Sequence, residues 1–419
     1  MARIASGIAL TASLLLAACG GGGGGADGHG HHESHIDTAG RIVMAEAGQP
    51  KAYVFDLDSG STIAGLDLLH PATALYASPG KRYALAFQRL NDSVQIIDGG
   101  IWQEPHDDHF DDYKEAPQLR QWRLTERRPT HYQAHGAQAA LFNDGSGDPL
   151  VPASVQVLTD ASIGASKVEQ QLALPMPMHG AAEPLGNYLL TTYRAPDAAS
   201  TLPSQVELYR RTAAGYEFVR RFDPSCPGLH GSASNERHSV FGCTDGVLVV
   251  TRTGDAFDAE KIANPAALPD GARIGTVAGH ADRDTFVAIA SPGHLFEIDP
   301  KAKTISPIEW AQGRTRRAHG FDAHGENFLV LDDTGTLHIL DAEGGWNKRA
   351  SLAAIQTMPA ESPFPAIAFS RAADKAFLSD PVGKALVEID LKTAAVGKRH
   401  ALGFTPSALV WVGIPRHEH

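Results

Sequence analysis

The sequence predicts an all-β protein folded as a single β-propeller, with eight blades as the first choice and seven as the alternative. Between residues 41 and 413 the chain consists of short β-branched and aromatic runs, such as KAYVFDLDSG, GNYLLTTY and ENFLVLDDTG. Gly, Asp, Asn and Pro separate these runs about every 8–12 residues, which is typical of all-β folds. No segment sustains the 3.6-residue apolar period of a helix.

A longer repeat indicates the architecture. A unit of three or four strands recurs about every 45 residues, which is the length of one propeller blade. The eight units span roughly 41–68, 69–126, 127–176, 177–224, 225–272, 273–313, 314–357 and 358–402. The first unit lacks an inner strand, and GFTPSALVWVG at 403–413 is a spare one. We expect this strand to complete the first blade, because closing the ring removes the open sheet edges.

Composition and charge limit the class of protein. The chain has 419 residues, of which 43% are hydrophobic and 20% charged, as in globular proteins that bury a large core. Its formal charge of −12 argues against a nucleic-acid partner, because nucleic-acid recognition depends on basic patches. We expect a monomer. The 20 histidines are an excess that needs a chemical explanation.

The N-terminal segment predicts export. Met1 and Arg3 precede an apolar run, Ile8 to Leu16, that is too short to span a bilayer. The run ends in Leu16-Ala17-Ala18-Cys19 followed by glycine, which resembles a bacterial lipobox. We therefore predict that residues 1–19 are a lipoprotein signal peptide and that Cys19 is lipidated. The mature protein would lie in the periplasm, attached to the membrane by its lipid anchor only; an ordinary secretory signal is the alternative.

Residues 20–40 read as a disordered tether between the anchor and the propeller. A glycine run is followed by ADGHGHHESHIDT, which has too little apolar surface to pack. The tract contains four histidines: His29, His31, His32 and His35. We predict that their imidazoles bind transition metals rapidly but without defined geometry. The alternative is that the tract is a simple spacer. Residues 414–419 form a short tail.

Two further cysteines, Cys226 and Cys243, flank the segment CPGLHGSASNERHSVFGC. An even pair in an exported chain predicts a disulfide. Closing a loop of this size stabilises the folded state by about 3 kcal/mol in the chain-entropy account. A thiolate metal pair is the alternative.

Six histidines each precede a β-rich run at roughly blade-length intervals, namely His70, His135, His179, His230, His280 and His319. We expect each to lie where the innermost strand of a blade begins, so that together they cluster at one mouth of the central channel. Three share a His-Gly context on successive blades and are the best candidate ligands: His135, His179 and His230. Packing roles are the alternative for each, and we interpret four other histidines as structural: His131, His238, His324 and His338.

Three imidazoles and one further ligand suit tetrahedral zinc, while copper(II) and nickel also accept imidazole. A second group lies in the insertion IWQEPHDDHFDDYKEAPQ between the first two of the six histidines. It combines His106 and His109 with Asp107, Asp108, Asp111 and Asp112. We predict that His106 and His109 assist metal binding, with a solvated acidic loop as the alternative.

Catalytic motifs are missing from the sequence. It contains no G-x-S-x-G elbow and no His-Glu-x-x-His pair, and nothing in it pairs carboxylates for acid–base work. We therefore predict that the protein is not an enzyme. Two alternatives are a propeller metalloenzyme acting as a hydrolase or lyase, and a non-catalytic interaction propeller with incidental histidines.

Four segments carry a family resemblance: THYQAHGAQAALFNDG, PMHGAAEPLGNYLL, CPGLHGSASNERHSVFGCTDGVLV and DGGIWQEPHDDHFDDYK. Together with the His-rich tract, they resemble periplasmic zinc metallochaperones of the AztD type over most of residues 41–413. The resemblance implies a β-propeller that binds zinc and delivers it by ligand exchange to the solute-binding protein of a zinc ABC importer. It also implies that the His-rich tract competes for the ion or relays it. The lipobox departs from the family, whose members are soluble in the periplasm, and predicts a tethered carrier.

Overall fold

The computed structural model describes residues 35–107 and 109–416, which form a β-propeller of eight blades. Each blade is an antiparallel sheet of four strands, and the blades follow one another along the chain. The predicted fold is confirmed with eight blades, and the alternative of seven is wrong. Several predictions concern residues outside the described ranges: the signal peptide, lipidation of Cys19, metal binding by His29, His31 and His32, and the acidic contribution of Asp108.

The first half of the chain forms part of blade 1 and all of blades 2 to 4. Blade 1 begins with β1 (Arg41–Glu46), β2 (Lys51–Asp56) and β3 (Ser61–Asp67). Blade 2 contains β4 (Ala74–Ala77), β5 (Tyr83–Gln88), β6 (Ser93–Asp98), an inserted hairpin of β7 (Ile101–His106) and β8 (His109–Lys114), and β9 (Gln118–Leu124). Blade 3 contains β10 (Pro129–His135), β11 (Gln138–Asn143), a small hairpin of β12 (Ser146–Gly147) and β13 (Leu150–Val151), β14 (Ser154–Leu158) and β15 (Gln170–Ala173). Blade 4 contains β16 (Ala182–Leu185), β17 (Tyr188–Tyr193), β18 (Gln205–Thr212) and β19 (Gly215–Arg221).

The second half forms blades 5 to 8 without inserted hairpins. Blade 5 contains β20 (Ser232–Ser234), β21 (His238–Cys243), β22 (Gly246–Thr253) and β23 (Ala256–Ala263). Blade 6 contains β24 (Thr276–Ala278), β25 (Phe286–Ala290), β26 (His294–Asp299) and β27 (Thr304–Ile308). Blade 7 contains β28 (Arg316–Phe321), β29 (Asn327–Asp332), β30 (Thr336–Asp341) and β31 (Lys348–Ala353). Blade 8 contains β32 (Ile367–Phe369), β33 (Lys375–Asp380), β34 (Ala385–Asp390) and β35 (Ala395–Ala401).

The last strand closes the ring. Strand β36 (Pro406–Val412) pairs antiparallel with β1, with Val410 opposite Val43 and Val412 opposite Arg41. It supplies the inner strand that blade 1 lacks, as the sequence predicted. Helical structure in the described residues is confined to a 3-10 turn at Arg89–Asn91 and one short helix, α1 (Asp160–Gly164). No helix there is long and apolar enough to cross a bilayer.

The core lies between neighbouring blades rather than in the middle of the ring. On β1, Ile42 and Met44 pack against Phe377 of blade 8, whereas Val43 and Ala45 pack with residues of blade 2. Side chains of a strand point alternately to its two faces. Because both faces of each blade are covered, the middle strands read as continuous apolar runs rather than alternating ones.

The strand order defines two faces of the propeller. In each blade the first strand of the sheet lines the central channel, and the fourth is the most exposed, as in β35. We name the face where these inner strands begin the entry face, and the opposite one the exit face. Successive strands alternate in direction, so the connection from a third to a fourth strand lies on the exit face. The β7–β8 hairpin follows the third strand of blade 2 and therefore belongs to the exit face.

Candidate metal centre

Three imidazoles converge at the entry end of the channel. His131 lies near the beginning of β10, and His179 and His230 come just before β16 and β20 in the next two blades. The Nε2 atom of His179 is 3.2 Å from Nε2 of His131 and 3.1 Å from Nε2 of His230. Zinc bound at 2.0–2.1 Å in a tetrahedron would place its ligand nitrogens about 3.3 Å apart. These three residues, which we call the channel trio, therefore have the spacing of a zinc site.

Hydrogen bonds on the far side of two rings determine where their protons lie. His179 Nδ1 is 2.9 Å from the Asp144 carboxylate, and His230 Nδ1 is 2.7 Å from the Gly275 carbonyl oxygen. Both oxygens only accept, so each Nδ1 carries the hydrogen and each neutral ring presents a lone pair at Nε2. Two lone pairs thus face each other across 3.1 Å, an arrangement that a cation between them stabilises.

The surroundings of His131 and His230 favour neutral rings. Burial, followed by the neighbouring His179 and His230, lowers the pKa of His131 to about 4. Burial also lowers the pKa of His230. A neutral imidazole is the form that binds a metal, so these rings need not lose a proton at neutral pH. Although burial acts in the opposite direction, hydrogen bonds from His179 and Arg89 lower the pKa of Asp144 and keep it ionised beside the trio.

Asp144 is a positioning residue, and changing it tests the arrangement. Its carboxylate accepts from His179 Nδ1 and, at 2.7 Å, from Arg89 Nη2. We expect Asp144→Asn to lower zinc affinity roughly 10- to 100-fold, because such partners orient a ligand ring and raise its basicity. Competition with a chromophoric chelator measures the change. Asp332→Asn is the matched control, since Asp332 bonds His338, which lies outside the trio; an equal loss in both variants would contradict this role.

The structure does not bring the predicted ligand His135 together with His179 and His230. His135 is the last residue of β10 and faces the exit side, where Gly136 at φ +54° turns the chain into β11. His131 lies four positions earlier in the strand, a distance of about 13 Å. His131, which we interpreted as structural, takes its place. Spacing along the chain could have indicated His131, because His131, His179 and His230 follow one another at similar intervals of 48 and 51 residues.

The other three of the six histidines that precede β-rich runs do not share one common position. His70 precedes β4 at the entry face, but His280 follows β24 near the exit face and His319 lies within β28. The expectation that all six begin an inner strand is therefore wrong for His135, His280 and His319. The remaining three predicted structural histidines stay outside the metal-competent groups of the described residues: His238, His324 and His338. His338 bonds Asp332 and Ser351 at 3.0 Å each.

The hairpin carries a second group, formed by His106, His109 and Asp111, whose ligand atoms lie within 4.8 Å of one another. Asp111 lies 2.9 Å from His106 Nδ1 and 3.6 Å from His109 Nε2. This group is on the exit face, so it cannot complete the channel trio. The sequence identified a metal-competent insertion, and the structure separates it from the channel site that it was expected to assist.

The beginning of the described chain lies against the same hairpin. The Asp112 carboxylate accepts a hydrogen bond of 2.8 Å from the backbone nitrogen of Ile36 and lies 3.3 Å from His35 Nδ1. His35 keeps 74% of its side chain exposed. The last histidine of the predicted tether is therefore within reach of the hairpin group rather than of the channel trio.

The sulfur atoms of Cys226 and Cys243 lie at covalent bonding distance, as expected for a disulfide. Both residues are fully buried. They join the segment that carries His230 to the end of β21, and the backbone nitrogen of His230 donates to Gly242 at 3.0 Å. The pair therefore holds one member of the channel trio against its own blade.

Comparisons with known proteins agree with this fold. The chain is 24% identical to the zinc chaperone AztD of Citrobacter koseri over 383 residues, which cover 90% of this chain and 87% of that protein. A crystal structure of Citrobacter koseri AztD superposes with a TM-score of 0.77 at 23% identity, covering 90% of this chain and 99% of that one. The apo AztD structure gives 0.74 at 22% identity, with 89% and 97% covered. No protein-family model matches. The resemblance predicted from the sequence is confirmed: along nine-tenths of its length and in its fold, this chain is similar to the zinc chaperone AztD.

Proposed function

We propose that the protein is a zinc chaperone of the bacterial envelope. It binds zinc as cargo at the channel trio and delivers the ion by ligand exchange to the solute-binding protein of a zinc ABC importer. One observation carries the proposal: the Nε2 lone pairs of His179 and His230 face each other at the spacing of zinc ligands. The similarity to a zinc chaperone supports the same role, which requires no catalysis.

Ligand exchange requires a site that a recipient can reach. The described residues contribute three side chains to the channel trio and no fourth His, Cys, Asp or Glu. A zinc ion held by three protein ligands has one further position for water or an incoming ligand. His179 keeps 29% of its side chain exposed at the entry face. A recipient's ligand can therefore bind zinc first and displace the imidazoles afterwards.

Neutral imidazoles make this exchange simple in its charge balance. A neutral imidazole releases no proton when it binds zinc and needs none when it gives the ion up, so transfer needs no separate proton acceptor. The Asp144 carboxylate holds the His179 ring through Nδ1 before and after release. The nearby negative charge offsets part of the charge of the ion. The atoms that bind the ion belong to uncharged imidazoles, which an incoming ligand can displace.

The hairpin group is the second zinc site of the proposal. His106, His109 and Asp111 lie on the exit face, in the hairpin whose Asp112 contacts His35. In this proposal the tract residues His29, His31, His32 and His35 capture zinc from the periplasm and exchange it with the hairpin. The lipid anchor at Cys19 keeps this capture at the membrane, and the disulfide between Cys226 and Cys243 maintains the trio in an oxidising compartment.

A transfer experiment tests the function. Zinc-loaded protein is mixed with the zinc-free solute-binding protein, and the rate is compared with zinc loss to a chelator. We expect faster transfer to the protein recipient and a rate that rises with its concentration. A rate equal to the loss into chelator and independent of recipient would reject delivery by exchange. The double change His106→Gln/His109→Gln should remove one bound zinc and leave the trio occupied.

A further inference from the structure

A cavity of about 750 Å³ opens on the entry face, away from the channel trio. It lies between the beginnings of the inner strands of blades 7, 8, 1 and 2, whereas the trio belongs to blades 3 to 5. Arg316, Arg317 and His319 of β28 form one wall. Pro71, Phe364 and Ile367 form much of the rest.

The cavity is positively charged in a protein whose net charge is −12. Two arginines line it, but no Asp or Glu does, and neither arginine takes part in an ion pair within the described residues. The Arg317 guanidinium lies 4.1 Å from the centre of the Phe364 ring and makes no hydrogen bond there. The Nε atoms of Arg316 and Arg317 are buried without an acceptor. Most N–H donors of these two guanidinium groups therefore have no hydrogen-bond acceptor among the described residues at this cavity.

His319 holds one of these guanidinium groups in place. Arg316 Nη1 donates to His319 Nδ1 across 2.9 Å, which requires a neutral ring with its hydrogen on Nε2. Burial, followed by the charge of Arg316, lowers the pKa of His319 to about 3 and so keeps the ring neutral. His319 is therefore a positioning residue for Arg316. His319 is one of the six histidines that precede β-rich runs, and this contact gives it a role that does not involve zinc.

The wall chemistry indicates the class of ligand. A guanidinium presents a planar fork of donors that matches the two oxygens of a carboxylate. The proline, phenylalanine and isoleucine side chains offer an apolar surface, and a cavity of this volume suits a small organic molecule rather than a bare inorganic anion. We propose that this cavity binds an organic carboxylate, with its charged end at Arg316 and Arg317 and its apolar body against Phe364.

Titration calorimetry of the full mature protein tests the proposal with 3-phenylpropionate, its neutral amide and inorganic phosphate. We expect the acid to bind at least about tenfold more tightly than the amide, which loses a charge-assisted hydrogen bond, and than phosphate, which lacks the apolar body that packs against Phe364. Equal binding of acid and amide would overturn the proposal, and so would the absence of binding by any carboxylate at millimolar concentration.

Variants locate the site. Arg317→Gln should weaken the acid at least about tenfold without disturbing the fold, since Arg317 makes no hydrogen bond within the described residues. Arg210→Gln is the control, because Arg210 is exposed in the outer half of blade 4 and paired with Glu217. Unchanged acid binding by Arg317→Gln would reject the site. Zinc affinity should be the same in both variants, which separates this proposal from the zinc function.

Two sources could supply the carboxylate, and a peptide pair distinguishes them. A short peptide ending in phenylalanine is tested as the free acid and as the terminal amide. Binding of the free-acid peptide as tightly as 3-phenylpropionate supports a chain terminus as the natural ligand. Binding of the small acid alone supports a free organic acid.

Discussion

We expect the replacement of His131 with glutamine to lower the zinc affinity of the channel site by more than about 100-fold, beyond the roughly 10- to 100-fold expected for a ring's hydrogen-bond partner. We expect the replacement of His135 with glutamine to leave that affinity unchanged. The reason is geometric, because His131 Nε2 lies 3.2 Å from His179 Nε2. His135 lies at the opposite end of the same strand.

The measurement must isolate the channel trio. Competition with a chromophoric chelator is carried out in a background in which the other candidate ligands are glutamine: His29, His31, His32, His35, His106 and His109. In that background we expect one zinc per chain, bound by His131, His179 and His230. A comparable loss of affinity in the two variants would show that the trio is not the site. Thermal unfolding without metal controls for damage to blade 3.

The fold could be predicted because its main signals are periodic. Blade length, turn spacing and apolar runs such as Ile42 to Ala45 all follow from strands buried between two neighbouring blades. Closure was predictable for a related reason, since a first unit lacking one strand and a last segment carrying one can pair only with each other. The register of Val410 against Val43 follows from that pairing.

The identity of the third histidine in the channel trio could not be predicted from pattern alone. His131 and His135 lie on the same side of β10, because side chains alternate with a period of two. Which of them reaches the trio depends on how far along the channel blade 3 sits against blade 4. Within blade 3, a bulge between Pro129 and His131 also shifts the register of β10 against β11. The His-Gly pair shared by His135, His179 and His230 does not mark one structural position. Gly136 makes a turn at the exit face, whereas the glycines after His179 and His230 precede their strands.

The hairpin shows a different limit. Its imidazoles and carboxylates identify a metal-competent loop from composition alone, and His106 and Asp111 do lie 2.9 Å apart. Its side of the propeller follows only from the number of strands that precede it in blade 2. Because that number is three, the hairpin and the channel trio lie on opposite faces.

Glu183 is a fully buried carboxyl in β16 that has hydroxyl partners but, among the described residues, no cationic one. It accepts hydrogen bonds from Ser232 Oγ at 2.5 Å and Ser234 Oγ at 2.8 Å. Burial outweighs these bonds and raises its pKa from 4.5 to about 7. The folded state therefore binds the proton more tightly than the unfolded state. The resulting stability is fully present below pH 4.5 and is lost as the pH rises through 7.

Glu183→Gln removes this dependence, because the amide is neutral at every pH. At 1.36 kcal/mol for each unit of pKa, the free energy of unfolding of the variant relative to the natural protein should rise by about 3 kcal/mol between pH 4.5 and pH 8. Denaturant unfolding of metal-free protein across this range measures the difference. Glu207→Gln should instead lower stability at pH 8, since Glu207 accepts from Arg221 at 2.8 Å. If the Glu183→Gln difference is constant from pH 5 to 8, Glu183 is already ionised in the folded protein and the serine hydroxyls alone stabilise its charge.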